Sequence, residues 1–361
     1  MKKLISTSFL SIVLLPAFLF SASEMKRVTT ILGELEPTKE YVFYVDGVVV
    51  AKMAEDAQGN KEVFKDKIPD EVFNEYYEDG ILKITGKYKA NKLEGVVKQY
   101  YPSSVLEFEF KYKKDKKEGI TKQYLDNGDL SVEWNYKNDK LEGISKQYYP
   151  SGKVKFEALY KNDKRNGISK QFYESGELQA EWNYKNGQLD GISKQYYKKD
   201  KNPELEFEWN YKDGKLEALS KQYYKNGQIM TERNYTDGKL DGTTKEYSES
   251  GILTTEKTYI EGRVDGVYKQ FYQTGEMKVE WLYTNGRLDG ISKQYFKSGA
   301  VEVEMAYENS KLNGLTRRFT EENQVTPSAV DTYKNGQMIN RKAYTPEGQI
   351  KFNQDYPYRE E

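Results

Sequence analysis

The chain contains neither cysteine nor histidine among its 361 residues. This excludes disulfides, Cys/His zinc sites, cysteine nucleophiles and Ser-His-Asp triads. An excess of one charge sign is also lacking, because 56 Lys and Arg face 57 Asp and Glu, which leaves a formal net charge of −1. A nucleic-acid-binding protein carries a clear basic excess, so we predict no nucleic-acid partner.

Apolar residues are scarce as well. Hydrophobic residues make up 37% of the chain and charged residues 31%, yet the chain has 32 tyrosines. Apolar surface this thinly spread does not predict a thick core.

The first 23 residues have the features of an export signal. Lys2 and Lys3 precede an apolar stretch from Leu4 to Phe20, and Ser21-Ala22-Ser23 offers the small residues that a signal peptidase reads. We expect cleavage near Ser23–Glu24 and an exported protein that is periplasmic, on the cell surface or secreted. An uncleaved membrane anchor is the less favoured alternative, because the apolar run is short and interrupted.

A glycine recurs at steps of 24 residues through most of the chain. The phase shifts by three residues once, where alanine replaces glycine, and the positions are Gly95, Gly119, Gly143, Gly167, Gly191, Ala218, Gly242, Gly266, Gly290 and Gly314. A fixed period in this range predicts a repeat architecture.

Each unit has the pattern of two β-strands separated by turn residues such as Asn186-Gly187. The predicted fold class is all-β, an elongated single-layer antiparallel meander of stacked β-hairpin repeats. We predict an N-terminal capping region at residues 24–70, a repeat array at 71–337, and a partial repeat with a C-terminal cap at 338–361.

Near-constant charged positions predict the strand register. If Ser151-Gly152 is a two-residue turn, Lys146 lies directly opposite Glu157 on a solvated face. The opposite face then collects Tyr149, Val154, Phe156 and Tyr160. One face is therefore predicted to be aromatic and the other mostly charged.

The unit G-I-S-K-Q-Y-Y-x-S-G-x-L-x-x-E-W-x-Y-K-N-G-x-L-x is clearest from Gly119 to Leu141 and from Gly167 to Asp190, and the pattern covers roughly residues 71–350. It resembles the MORN repeat, and more closely its bacterial variant, the second MORN type, which includes antitoxin-like repeat proteins. The resemblance implies stacked hairpins that act as an interaction or scaffolding surface, with host contact in some secreted relatives and no catalytic residues. The Gly-x-Gly pattern of classical MORN units is absent, so peripheral membrane contact has no support in the sequence.

One column of the repeat varies where its tyrosine neighbours do not. It holds Phe110, Trp134, Ala158, Trp182, Trp209, Arg233, Lys257, Trp281 and Met305. A constant column is what packing requires, whereas a variable one can encode recognition. The alternative is that the tryptophans only cover a thin sheet.

Three further residues complete the candidate binding surface, Tyr149, Tyr197 and Pro203. Pro203 lies in the segment from Lys198 to Glu206, where three inserted residues shift the phase; this segment is either a functional loop or a tolerated insertion or bend.

A singular active site is not expected, because the Lys and Glu columns recur in every unit, and we predict no enzyme activity, cofactor or metal. The predicted function is an exported repeat protein that presents an extended sheet to a protein partner through many weak contacts. The alternatives are a glycan- or cell-wall-binding aromatic module, an antitoxin-like scaffold, and a structural protein that assembles edge to edge.

Overall fold

The computed structural model describes residues 24–32, 38–198 and 204–360, and all regular structure in these ranges is β-strand. No helix in the described part of the chain has the length and hydropathy that crossing a membrane requires. The predicted leader and Pro203 lie outside the described residues. The chain divides into two compact units, residues 1–139 and 140–361.

Unit 1 begins with four strands that precede the first repeat. The strands of this unit are β1 (Met25–Leu32), β2 (Thr38–Val45), β3 (Val48–Glu55), β4 (Lys61–Lys65), β5 (Val72–Tyr76), β6 (Leu82–Lys89), β7 (Lys92–Leu93), β8 (Gly95–Tyr100), β9 (Leu106–Lys113), β10 (Lys116–Lys117), β11 (Gly119–Tyr124) and β12 (Leu130–Lys137). Strand β1 pairs antiparallel with β2 and parallel with β5, so the first strand is inserted beside the first repeat hairpin.

The first strands of unit 1 bury a hydrophobic cluster. Met25, Phe43, Met53 and Phe73 are almost completely excluded from solvent, and Tyr88 packs edge-on against Phe43 at 5.2 Å between ring centroids. Burial of several large side chains gives this end of the array a core that a single hairpin cannot build.

A buried ion pair lies beside this cluster. Arg27 Nε donates to Glu75 Oε2 at 2.9 Å, and Thr29 Oγ1 donates to the same oxygen at 2.8 Å. The Arg27 guanidinium also lies 4.2 Å from the centroid of the Phe73 ring. The charges are thus paired and hydrogen-bonded, as burial of ions requires.

Unit 2 is a succession of repeat hairpins. Its strands are β13 (Lys140–Leu141), β14 (Gly143–Tyr148), β15 (Val154–Lys161), β16 (Lys164–Phe172), β17 (Leu178–Lys185), β18 (Gln188–Leu189), β19 (Gly191–Tyr196), β20 (Leu205–Lys212), β21 (Lys215–Leu216), β22 (Ala218–Tyr223), β23 (Ile229–Thr236), β24 (Lys239–Leu240), β25 (Gly242–Tyr247), β26 (Leu253–Ile260), β27 (Arg263–Phe271), β28 (Met277–Thr284), β29 (Arg287–Leu288), β30 (Gly290–Tyr295), β31 (Val301–Glu308), β32 (Lys311–Arg318), β33 (Ala329–Lys334), β34 (Gln337–Tyr344) and β35 (Ile350–Asp355).

Long strands of unit 2 pair antiparallel with the next long strand along the chain, as β14 does with β15 and β15 with β16. No pairing among its described strands joins β14 to β35, so the sheet of this unit is open. The prediction of an all-β antiparallel meander of stacked hairpin repeats is confirmed.

The predicted two-residue turn at Ser151-Gly152 is wrong. The Tyr149 N–H donates to the Lys153 carbonyl and the Gly152 N–H donates to the Tyr149 carbonyl, each at 2.8 Å, so the loop contains three residues. Its third residue, Gly152, has a φ of 77°, as in a type I turn followed by a left-handed residue. The true two-residue turns lie at the other end of the hairpins, as at Asn162-Asp163, where both residues have positive φ.

The predicted pairing of Lys146 with Glu157 is nevertheless confirmed. Gln147 opposes Phe156 and Tyr148 opposes Val154, which leaves Lys155 as an extra residue in a β-bulge. The bulge offsets the extra turn residue, so the register is restored three residues before the turn. It also moves Val154 to the face of Lys146, whereas we predicted it on the aromatic face.

The recurring glycine lies next to a break in strand pairing that follows the two-residue turn. In one repeat, β18 ends at Leu189 and β19 begins at Gly191. Gly191 has a φ of 94°, and a Cβ there would lie 2.8 Å from Asn183 Nδ2. Glycine is thus favoured by both its backbone conformation and its lack of a side chain. Ala218 occupies the equivalent position with a φ of 59°, which strains a non-glycine residue.

We predict that Ala218→Gly stabilises the protein by about 1 kcal/mol, because it removes the cost of a left-handed alanine. The midpoint of urea denaturation should rise. The matched change Gly191→Ala should lower it by at least as much, and a lower midpoint for Ala218→Gly would contradict this account of the glycine column.

Candidate binding surface

The register gives the sheet of unit 2 two chemically different faces. The ladder face carries the paired Lys and Glu side chains, such as Lys170 and Glu181. The aromatic face carries the alternate side chains, such as Trp182 and Tyr184, one and three positions after Glu181, since successive residues of a strand point to opposite faces.

The lysines and glutamates of the ladder face form a row that crosses the strands. Ion pairs link Lys170 to Glu181 at 3.6 Å, and others follow in later repeats: Lys194–Glu208 at 3.8 Å, Lys221–Glu232 at 3.6 Å, Lys245–Glu256 at 3.8 Å and Lys293–Glu304 at 3.4 Å. Lys269 also reaches Glu256, at 3.5 Å, from the following repeat. The row therefore connects hairpins to each other as well as the two strands within a hairpin.

A single exposed pair of this kind contributes little to the free energy of unfolding, about 0.2–1 kcal/mol. Its repetition matters for register, because a slip by one residue would place charges on the opposite face.

Tyrosines strengthen the row. Tyr247 donates to Glu232 at 2.9 Å, and burial, together with this hydrogen bond, raises the pKa of Tyr247 to about 12. The phenol therefore remains a donor at neutral pH.

Large aliphatic side chains lie exposed beside the charged row. Each stands two residues before a ladder lysine or arginine, or two after a ladder glutamate. We call this row the aliphatic stripe, and its members in unit 2 are Ile144, Leu159, Ile168, Ile192, Leu219, Leu282, Ile291 and Leu315. Ile192 is 51% exposed and Ile291 54%. The sequence pattern predicted a mostly charged face. The structure shows that the ladder face also carries exposed aliphatic side chains.

The stripe had a sequence signal that we did not use. An aliphatic residue follows most of the recurring glycines directly, two positions before the lysine. Alternation alone places those two side chains on one face. Our sequence prediction instead centred on the tryptophans, which are the larger and more distinctive residues.

The tryptophans of the variable column in unit 2 lie over buried small residues of the neighbouring strands. Trp182 opposes Ser169, and Trp209 opposes Ser193; both serines are 0% exposed. Trp209 stacks on Phe207 with ring centroids 4.9 Å apart. Trp281 stacks on Tyr268, which it opposes, at 5.1 Å. The rings therefore cover the sheet and present only part of their surface.

The two candidates in unit 1 occupy equivalent positions. Trp134 opposes Thr121, which is 2% exposed, and Phe110 stacks on Phe108 at 5.2 Å between centroids. Large and small side chains thus pair across the strands in this unit as well.

The candidate tyrosines at the three-residue turns join consecutive repeats. Tyr149 Oη donates to the Phe172 carbonyl, and Tyr197 Oη donates to the Tyr223 carbonyl, each at 2.8 Å. The second bond spans the insertion, and the Tyr197 N–H still donates to the Glu204 carbonyl at 2.9 Å. The strands on either side of the insertion therefore keep the register of the other hairpins, because Lys194 and Glu208 remain paired.

Comparisons with known proteins agree with the repeat pattern. A family model described as MORN repeat variant matches eight segments, at residues 93–114, 117–138, 141–162, 165–186, 216–237, 240–261, 264–285 and 288–309. No curated protein matches the chain significantly.

Proposed function

The chain belongs to the MORN repeat variant family, and from this premise we propose that it is a non-catalytic scaffold that binds a protein partner along the ladder face. The aliphatic stripe is the observation that carries the proposal. Stripe residues such as Ile168 and Ile192 are about half exposed although the chain has few apolar residues to spare.

A protein partner suits the chemistry of this face. Contiguous exposed apolar residues flanked by polar ones mark surfaces that bind other proteins. Burial of one such side chain contributes roughly 1–2 kcal/mol. The adjacent row of alternating charges adds little affinity but disfavours partners whose charges are placed differently.

Repetition supports binding by many similar contacts. Members of the stripe recur in consecutive units from Ile144 to Leu219, two strands apart and hence at a spacing of about 10 Å. A partner with its own repeated apolar residues would engage several at once, and each contact raises the effective concentration for the next.

Glycan or cell-wall binding along the aromatic face is the second candidate. The stacked rings of Phe207 and Trp209 favour it, because flat aromatic pairs can stack on sugars. The two candidates use opposite faces, which allows variants to separate them.

We predict that Ile168→Thr combined with Ile192→Thr lowers the retention of protein partners on the immobilised folded chain by on the order of tenfold. Threonine is chosen because Thr243 fills the same column of the repeat and is β-branched, so the strand is preserved. Retention would be measured by quantitative mass spectrometry against the unaltered chain.

The matched control carries Trp182→Ala and Trp209→Ala, since Ala158 occupies that column in another unit. Protein retention should survive in this variant. Equal protein retention by the stripe variant and the unaltered chain would contradict the proposal. Binding to polysaccharide that disappears in the tryptophan variant would support the glycan candidate instead.

We further propose that the protein acts outside the cytoplasm. The support is the basic, apolar and small-residue pattern of residues 2–23, together with the lack of cysteine, which makes folding independent of redox conditions. Export is also the feature that distinguishes this proposal from an antitoxin-like scaffold, which would act in the cytoplasm.

Cell fractionation tests the location. We expect the chain outside the cytoplasm with an N-terminus near Glu24, as determined by intact mass. A full-length chain confined to the cytoplasm would contradict export and favour the antitoxin-like scaffold.

A further inference from the structure

Two cations interrupt the tryptophan column on the aromatic face of unit 2. Arg233 and Lys257 stand where Trp182, Trp209 and Trp281 stand in other units. Register confirms the equivalence. Arg233 opposes Ser220, as Trp209 opposes Ser193, and Lys257 opposes Thr244.

Arg233 is a half-buried guanidinium that pairs with no carboxylate in the described ranges, although its charge acts on the nearby phenol of Tyr259, whose pKa it lowers against the effect of burial. Within the described ranges its side chain forms no hydrogen bond, ion pair or ring contact. A guanidinium has five N–H donors, so a half-buried one that donates no hydrogen bond is unusual. Arg341, in the same row, shows the ordinary arrangement. It donates two hydrogen bonds to the buried Asp331, at 2.6 and 2.8 Å.

The charged residues near Arg233 on this face are Lys257 and one acidic neighbour, Glu246. Lys257 Nζ lies 5.2 Å from the centroid of the Tyr268 ring and forms no ion pair in the described structure. Glu246 stands on the intervening strand, where most units have glutamine, and makes no ion pair with either cation. Two positive charges against one negative charge leave the patch with an excess of one positive charge.

The two cations lie between aromatic residues of the same row. Across the strands the order is Trp209, Ser220, Arg233, Thr244, Lys257, Tyr268 and Trp281. Alternate members of this order are two strands apart, about 10 Å. Trp209, Arg233, Lys257 and Trp281 therefore form a band of about 30 Å that is aromatic at its ends and cationic in the middle.

We propose that this band binds an extended acidic segment of a protein, with two carboxylates that engage Arg233 and Lys257 and an apolar residue at each end that packs on Trp209 and Trp281. Polyproline II conformation suits the spacing, because every third residue returns to the same side after about 9.3 Å. The expected pattern is apolar-x-x-acidic-x-x-acidic-x-x-apolar.

A peptide fits the band better than an anionic polysaccharide. The band changes from aromatic to cationic and back to aromatic, whereas a polyuronate carries the same charge at every sugar. The guanidinium fork of Arg233 also matches a carboxylate in a bidentate geometry. This site is independent of the aliphatic stripe, which lies on the opposite face.

The test uses a fluorescein-labelled peptide, Phe-Pro-Pro-Glu-Pro-Pro-Glu-Pro-Pro-Phe, and the folded full chain, with binding followed by anisotropy. We expect saturable binding that weakens as salt rises. Arg233→Trp with Lys257→Trp should reduce affinity at least about tenfold, because two charge-assisted contacts are lost. These changes restore the residue that the column carries elsewhere, so the fold should be retained.

Two further variants distinguish binding at this site from a general attraction between opposite charges. Glu246→Gln restores the usual residue of its column and should increase affinity. Lys239→Gln with Arg263→Gln removes the same charge from exposed hairpin ends of these units and should leave affinity unchanged. Absence of peptide binding, equal affinity for the peptide with Gln in place of Glu, or unchanged affinity in the tryptophan variant would overturn the proposal. Binding of polygalacturonate that requires Arg233 and Lys257, without binding of the peptide, would also overturn the proposal and assign the band to a glycan.

Discussion

The structure depends on the register of neighbouring strands. In the hairpins of regular length, such as β14–β15, a three-residue turn is followed by a one-residue bulge, as at Lys155, and the two irregularities offset each other. Because side chains alternate between faces, this register decides which residues meet solvent. A different offset would place Lys146 and Glu157 among the aromatic rings and the serines on the outside. The ladder of ion pairs, the buried serines and the exposed aliphatic stripe all follow from it.

Much of the fold could be predicted from the sequence because the repeat is an alignment of the chain with itself. The period, the hairpins and the Lys146–Glu157 pairing were predicted correctly. The turn at Ser151-Gly152 was not, since distinguishing a two-residue from a three-residue loop requires the sign of φ at Ser151, which the residue type does not determine. The buried Arg27–Glu75 pair had no sequence signal either, because its partners are far apart along the chain and Arg27 lies outside the regular repeat.

The candidate surface was harder to predict than the fold. Distinctive residues drew attention to Trp182 and Trp209, whereas the structure places them opposite buried serines and beside other aromatic rings. The plain isoleucine after the recurring glycine proved to be the exposed apolar residue. Departures from a column remain informative, as the unpaired Arg233 shows, but their meaning depends on whether the structure supplies a partner.

One register places the paired charges and the aliphatic stripe on one face of the sheet and the buried serines, beside the aromatic rings, on the other. The absence of cysteine allows a direct measurement, the rate of thiol modification in the native chain bearing either Ile192→Cys or Ser193→Cys. Residue 192 is 51% exposed and residue 193 is 0% exposed, although they are neighbours. The account predicts rapid modification at position 192, close to the unfolded rate, and strong protection at position 193. Equal rates, or protection at 192 with rapid modification at 193, would contradict it.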